Sequence, residues 1–183
     1  MANSAAEVIR PLRRVEYDQL VALGAFQDER IELLDGALVA MSPIGPPHCS
    51  AVQELTELLL PALLGRARVR AQQPLAALEF SEPEPDLAIV PLRDYATEHP
   101  TEAYLIIEVA DSSLTKDRGR KLCLYARCGV PEYWVVNLPE RRIEVYTQPA
   151  DTHYEHLEIF TRGQTIRLRA FPDLELPVAS VLK

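Results

Sequence analysis

Three cysteines, Cys49, Cys123 and Cys128, are all that the 183 residues contain, and they form neither an even set nor a Cys-x-x-Cys pair. This argues against a disulfide framework or a zinc site and suits a reducing cytoplasm. A long apolar run is also missing. Met1 to Arg14 has no secretion-signal core, and the longest apolar stretch, Leu58 to Leu64, is interrupted by Pro61, so nothing is expected to span or cross a membrane. Excess positive charge is absent as well. A formal charge of -8 and a pI near 5.1 oppose nucleic-acid binding through overall charge, so any contact with DNA has to use a local patch. Internal repeats, low-complexity tracts and linkers are lacking too. Lysine is scarce: sixteen arginines accompany three lysines, Lys116, Lys121 and Lys183. An internal lysine in such a chain marks a place where a compact, orientable ammonium is needed, although a skewed genomic composition explains the ratio equally well.

What is present is ordinary globular material, 48% hydrophobic and 25% charged, enough for one core and short for two. One domain over 1–183, with a core of about 15–170, is expected. Val15 to Phe26 has a loose helical spacing of apolar residues. Arg30 to Leu34 and Ala37 to Met41 flank Asp35-Gly36, the strongest local signal for a tight hairpin. Ser42 to Pro47 reads as a loop, and a helix follows from His48 to about Leu60, where Pro61 loosens its end. Arg66 to Gln72 and Pro74 to Phe80 read as extended segments, and Ser81 to Pro85 as a loop. Leu87 to Val90 and Tyr104 to Val109 are short continuous apolar runs, the pattern of strands buried on both faces. A helix is expected from about Thr115 to Arg127, stopped by Gly129 and Pro131. Tyr133 to Val136, Arg142 to Thr147, His153 to Phe160 and Thr165 to Arg169 read as strands, with Pro172 to Lys183 as a tail. The order predicts a mixed α/β (α+β) domain with helices flanking one central sheet.

Two acids stand at the ends of apolar strands. Asp86 follows Pro85 and enters Leu87-Ala88-Ile89-Val90; taken alone, an aspartate there is as readily a turn residue. Glu108 lies inside Tyr104-Leu105-Ile106-Ile107 and Val109-Ala110, where a carboxylate needs a partner. Two carboxylates on neighbouring central strands repel unless a cation or a shared proton intervenes. Hard oxygen ligands favour Mg²⁺ or Mn²⁺ over zinc. Glu32, between Ile31 and Leu33, reads either as an edge-strand acid reaching solvent or as a third member of the site. Lys121 reads either as the partner of Asp117 one helical turn away or as an ammonium that orients water and offsets charge developing on phosphate. Arg66, Arg68 and Arg70 alternate along one predicted strand and project from one face, to which Arg118, Arg120 and Arg127 could add; a solvated charged face is the competing reading. His48 opens a helix after two prolines and is read as structural, and Tyr133 and Trp134 as core.

Asp86 after Pro85, Glu108 on the next apolar strand and Lys121 on the following helix resemble the PD-(D/E)XK nuclease pattern. A longer series is similar to the Uma family of restriction-endonuclease-like proteins. It comprises Ile31-Glu32-Leu33-Leu34-Asp35-Gly36, Met41-Ser42-Pro43 with His48, Pro85 to Val90, Ile107-Glu108-Val109, Asp117 with Lys121 and Tyr125, and Gly129 to Trp134. The resemblance runs from roughly Ile31 to Val145. It implies a central mixed β-sheet flanked by helices, metal-binding acids at Asp86 and Glu108, an acid on the helix-hairpin element at Glu32, Mg²⁺ or Mn²⁺ as cofactor and hydrolysis of DNA phosphodiester bonds. It also implies that the lysine normally two residues after the glutamate, where this chain has Ala110, has moved to the next helix as Lys121. A symmetric homodimer would set two such sites against two phosphates. The competing reading is a nuclease fold kept as a binding or assembly module without turnover.

Overall fold

A computed structural model describes residues 9–183; Met1 to Val8, part of the segment read for a secretion signal, lie outside the described residues. Arg14–Ala22 forms α1. Ile31–Leu34 (β1) and Ala37–Ala40 (β2) make the expected hairpin. Its two central residues, Asp35 and Gly36, have φ of 46° and 76°, the left-handed pair whose twist matches antiparallel strands. Any side chain at Gly36 would collide with Pro11, whose Cβ lies 2.3 Å from the position a new Cβ would take. Helix α2 spans Pro46–Ala62. It starts with two prolines, which suit the first helical turn because their missing N–H groups would have no helical partner there.

Six strands form the central sheet in the order β3 (Ala67–Ala71), β4 (Leu87–Pro91), β5 (Leu105–Ala110), β6 (Glu132–Asn137), β7 (Arg142–Ala150) and β8 (His153–Thr161). All neighbours are antiparallel except β5 and β6. A parallel pair needs a crossover, and α3 supplies it in three continuous pieces: Leu114–Lys116, a π-helical turn over Asp117–Lys121, and Leu122–Arg127. The fold is thus the mixed sheet flanked by helices that the element order predicts. Among the described residues, no helix is long and apolar enough to cross a membrane.

Alternation along β5 sorts its side chains onto two faces. Leu105, Ile107 and Val109 join Ala51, Leu55 and Leu59 of α2 in one apolar cluster. Each fully buried Leu or Ile there contributes about 1.5–3 kcal/mol by leaving water. Ile106 and Ala110 face the other way, toward Tyr125 and Ala126 of α3 and Tyr133 of β6. Glu108 shares that second face.

Two expectations are corrected. Pro74 to Phe80 is not a strand: Leu75 and Ala76 are buried in succession, which breaks the period of two, and their N–H groups donate to the carbonyls of Pro83 and Pro100 rather than to a ladder. Pro172 to Lys183 is not a tail. Phe171–Pro177 (β10) pairs with Thr165–Leu168 (β9) through a bulge, and Val178–Val181 forms α4. Leu176, Val178, Val181 and Leu182 are buried in the cluster that includes α2.

Candidate active site

The ladder between β4 and β5 pairs Leu87 with Ile107, so its next step sets Asp86 beside Glu108. Asp86 is fastened from two sides. Its Oδ2 accepts the Val109 N–H at 2.8 Å, and its Oδ1 meets His48 Nε2 at 3.0 Å. Burial works against a charge on His48, yet Asp86 raises its pKa above the ordinary value.

Glu108 is 4% exposed, and both of its hydrogen bonds fall on one oxygen. Oε1 accepts Lys121 Nζ at 2.8 Å and the Tyr125 hydroxyl at 2.7 Å, while Oε2 has no hydrogen bond among the described residues. Burial pushes the Glu108 carboxyl up to about 8; Lys121 opposes the rise, and Asp117, Asp86 and Glu32 add to it. Lys121 is itself buried, which disfavours its charge, but Glu108, Glu32 and Asp117 outweigh that and raise its pKa.

Glu32 comes from the β1–β2 hairpin and does not reach solvent, being 0% exposed. It bridges the two helical lysines: Lys116 Nζ lies 2.8 Å from Oε1 and Lys121 Nζ 3.1 Å from Oε2. The Glu84 N–H donates to Oε2 at 3.3 Å. Burial opposes the charge on Glu32, but the two lysines prevail and hold its pKa below the ordinary value.

The expected helical pair between Asp117 and Lys121 is not what forms. The π turn inserts one extra residue into the helix and so takes Lys121 off the row above Asp117, toward Glu108 and Glu32. Asp117 instead accepts the Ser113 hydroxyl. Ala110, two residues after Glu108 and on its face, is wholly buried. The ammonium that a lysine at position 110 would have brought to this face arrives from α3 instead.

These four residues line one open cleft of about 590 Å³ together with His48, Gln72, Glu84, Asp111, Lys116 and Asp117, except that Glu32 lies just behind its wall, joined to Lys116, Lys121 and Glu84. Sequence reasoning missed Lys116 and Tyr125 as partners of the acids, and read His48 as structural although it binds Asp86. The pairing of rare lysines with isolated acids was the available signal for Lys116. The other arginines thought to extend a basic face are spoken for: Arg66 makes a bidentate pair with Asp173 at 2.7 and 2.8 Å, Arg118 pairs with Glu144, and Arg120 and Arg127 pair with Asp35.

Among the described residues, no group of three or more His, Cys, Asp or Glu is gathered as a ready-made metal cage. Two carboxylates on adjacent strands still fit Mg²⁺, which keeps several waters and is usually held by one or two carboxylates plus substrate phosphate. The free Oε2 of Glu108 and the cost of burying this acid agree with such a cation.

Comparison with known proteins adds the ancestry. A crystal structure described as that of "a putative nuclease belonging to DUF820" from Anabaena variabilis superposes with a TM-score of 0.73 at 15% identity, covering 93% of this chain and 97% of that one; at that identity the likeness establishes the fold. No curated protein matches the chain. The family model described as "Putative restriction endonuclease", Uma2, matches residues 14–179, and the chain therefore belongs to the Uma2 family.

Proposed function

We propose that the protein is a metal-dependent nuclease that hydrolyses DNA phosphodiester bonds in this cleft. The observation that carries the reading is the contact of Lys121 Nζ with Glu108 Oε1 at 2.8 Å, which restores the acid and ammonium pair that Ala110 removes from the strand. Asp86 and Glu108 would hold Mg²⁺ or Mn²⁺, and the bound cation supplies charge neutralisation at the scissile phosphate. Lys121 is placed to orient a water for in-line attack and to offset charge developing on phosphate oxygen. Glu32 keeps Lys121 charged and fixed. His48 and the Val109 N–H hold Asp86 in one orientation, so little reorganisation is left for the reaction.

The purified chain is expected to nick or cut at least one of supercoiled, linear, single-stranded or branched DNA with Mg²⁺ or Mn²⁺. Unchanged activity in both Asp86→Ala and Lys121→Ala would overturn the assignment. The alternative, a silent binding or assembly module, has one observation in its favour: both Asp86 oxygens already hold hydrogen-bond partners. Titration calorimetry separates the two, since absence of Mg²⁺ and Mn²⁺ binding at millimolar concentration supports the module.

A further inference from the structure

Edge strand β3 carries a second, cationic pocket. Arg68, Arg70 and Arg93 line a shallow cavity of about 560 Å³ together with Val69, Gln73 and Tyr95. Unlike the arginines tied to carboxylates elsewhere, Arg68 and Arg70 have no carboxylate partner among the described residues. Arg68 Nε donates only to the Arg93 carbonyl, at 3.3 Å. The Nε of Arg70 is buried without any hydrogen-bond partner, and its guanidinium lies 5.5 Å from the centre of the Tyr95 ring. Arg93 is paired at the rim with exposed Glu102, and Asp94, the acid lining the pocket, accepts the Ala96 N–H.

A guanidinium with a desolvated and unanswered N–H costs stability. An arriving anion would answer it, and a planar fork suits phosphate better than a point charge does. Position links this pocket to the cleft. Gln72 donates its N–H to the Asp86 carbonyl at 3.1 Å and lines the cleft, while the adjacent Gln73 lines the arginine pocket. Arg68 and Arg70 pair with Val90 and Ala88 of the strand that begins at Asp86's neighbour, Leu87. Two residues along a strand span about 6.7 Å, close to two phosphate steps of about 3.4 Å each along one DNA strand.

We propose that Arg68, Arg70 and Arg93 form a backbone clamp for DNA, gripping phosphates of the strand that continues out of the Asp86–Glu108 cleft. The identity of the anion as DNA rests on the nuclease reading; the anion site itself does not. Tyr95 then serves as the wall that holds the Arg70 guanidinium flat toward the phosphate.

The test is fluorescence anisotropy of labelled single-stranded and duplex DNA with the full chain in EDTA, across a salt series. Wild type should bind with a salt-dependent affinity, and Arg68→Ala and Arg70→Gln should each weaken binding several-fold and lower the salt slope by about one. Arg70→Gln should melt no lower than wild type, because it removes an unsatisfied buried donor. No DNA binding by wild type, an unchanged slope in both variants, or a large drop in the melting temperature of Arg70→Gln that would make Arg70 a structural residue, each overturns the clamp. Clamp-dependent binding without cleavage under any metal would sink the nuclease reading alone. Cleavage with an unaltered KM in both variants would sink the clamp alone.

Discussion

Glu108 and Glu144 flank the same residue, Val135, on the same face of the sheet, and both are buried, yet their surroundings differ. Glu144 has donors on both oxygens: Arg118 reaches each of them, Arg142 and Asn137 donate to Oε1 at 2.9 and 3.1 Å, and Tyr146 donates to Oε2 at 3.0 Å. Burial alone would raise its pKa, but these donors pull it down to about 2. Glu108 receives both its donors on one oxygen and is pushed up to about 8. The same π turn supplies both cations, Arg118 and Lys121. A planar fork saturates a carboxylate, whereas an ammonium engages one oxygen and leaves the other available. One glutamate is therefore built as structure and the other is left open to chemistry.

The largest expected effect concerns activity. Glu108→Gln should lower DNA cleavage at saturating Mg²⁺ by on the order of 10²-fold or more, while Glu144→Gln stays near wild type; similar losses in both would erase the distinction. Lys121→Arg sharpens it, since a fork over Glu108 should reproduce the saturated state of Glu144. Plasmid-nicking rates should then fall by on the order of 10–100-fold, the range seen when groups that orient metal ligands are altered, despite the retained charge.

Stability should reverse the order. Glu144→Ala strands Arg118, Arg142 and buried Asn137, and urea unfolding should show a loss of roughly 3 kcal/mol, the low end for a broken buried pair because both arginines reach solvent. Glu108→Gln should cost less, since Lys121 retains Glu32 at 3.1 Å.

The smallest effect is on pH dependence. Glu144 is held below its unfolded value of 4.5, so its contribution is complete above about pH 4.5 and is lost as pH falls toward 2. Chemical denaturation between pH 5 and 2 should show that acid limb flattened in Glu144→Gln and retained in Glu108→Gln. Equal limbs in both variants would mean that Glu144 is not the group held down.

Local pattern was enough for much of this. Aspartate and glutamate beside apolar runs marked Asp86 and Glu108, Asp35-Gly36 marked the hairpin, and unbroken Leu-Ile-Val runs marked the central strands. These signals act over two to four residues, the range within which backbone geometry sets which side chains are neighbours. The alternation of Leu174 and Leu176 with Asp173 and Glu175 was a legible strand signal as well, but two flanking prolines obscured it.

The sequence by itself thus determined which elements form, which acids must be compensated inside the core and where a needed lysine is missing. Only tertiary structure decided who compensates whom. His48 and Asp86 are 38 residues apart and Lys116 and Glu32 are 84 apart, separations at which no periodicity operates. The direction of Lys121 depended on a π turn that sequence spacing reads as ordinary helix. Arg66 left the basic row for Asp173, 107 residues away, because an exposed charge takes whichever partner the folded chain brings near.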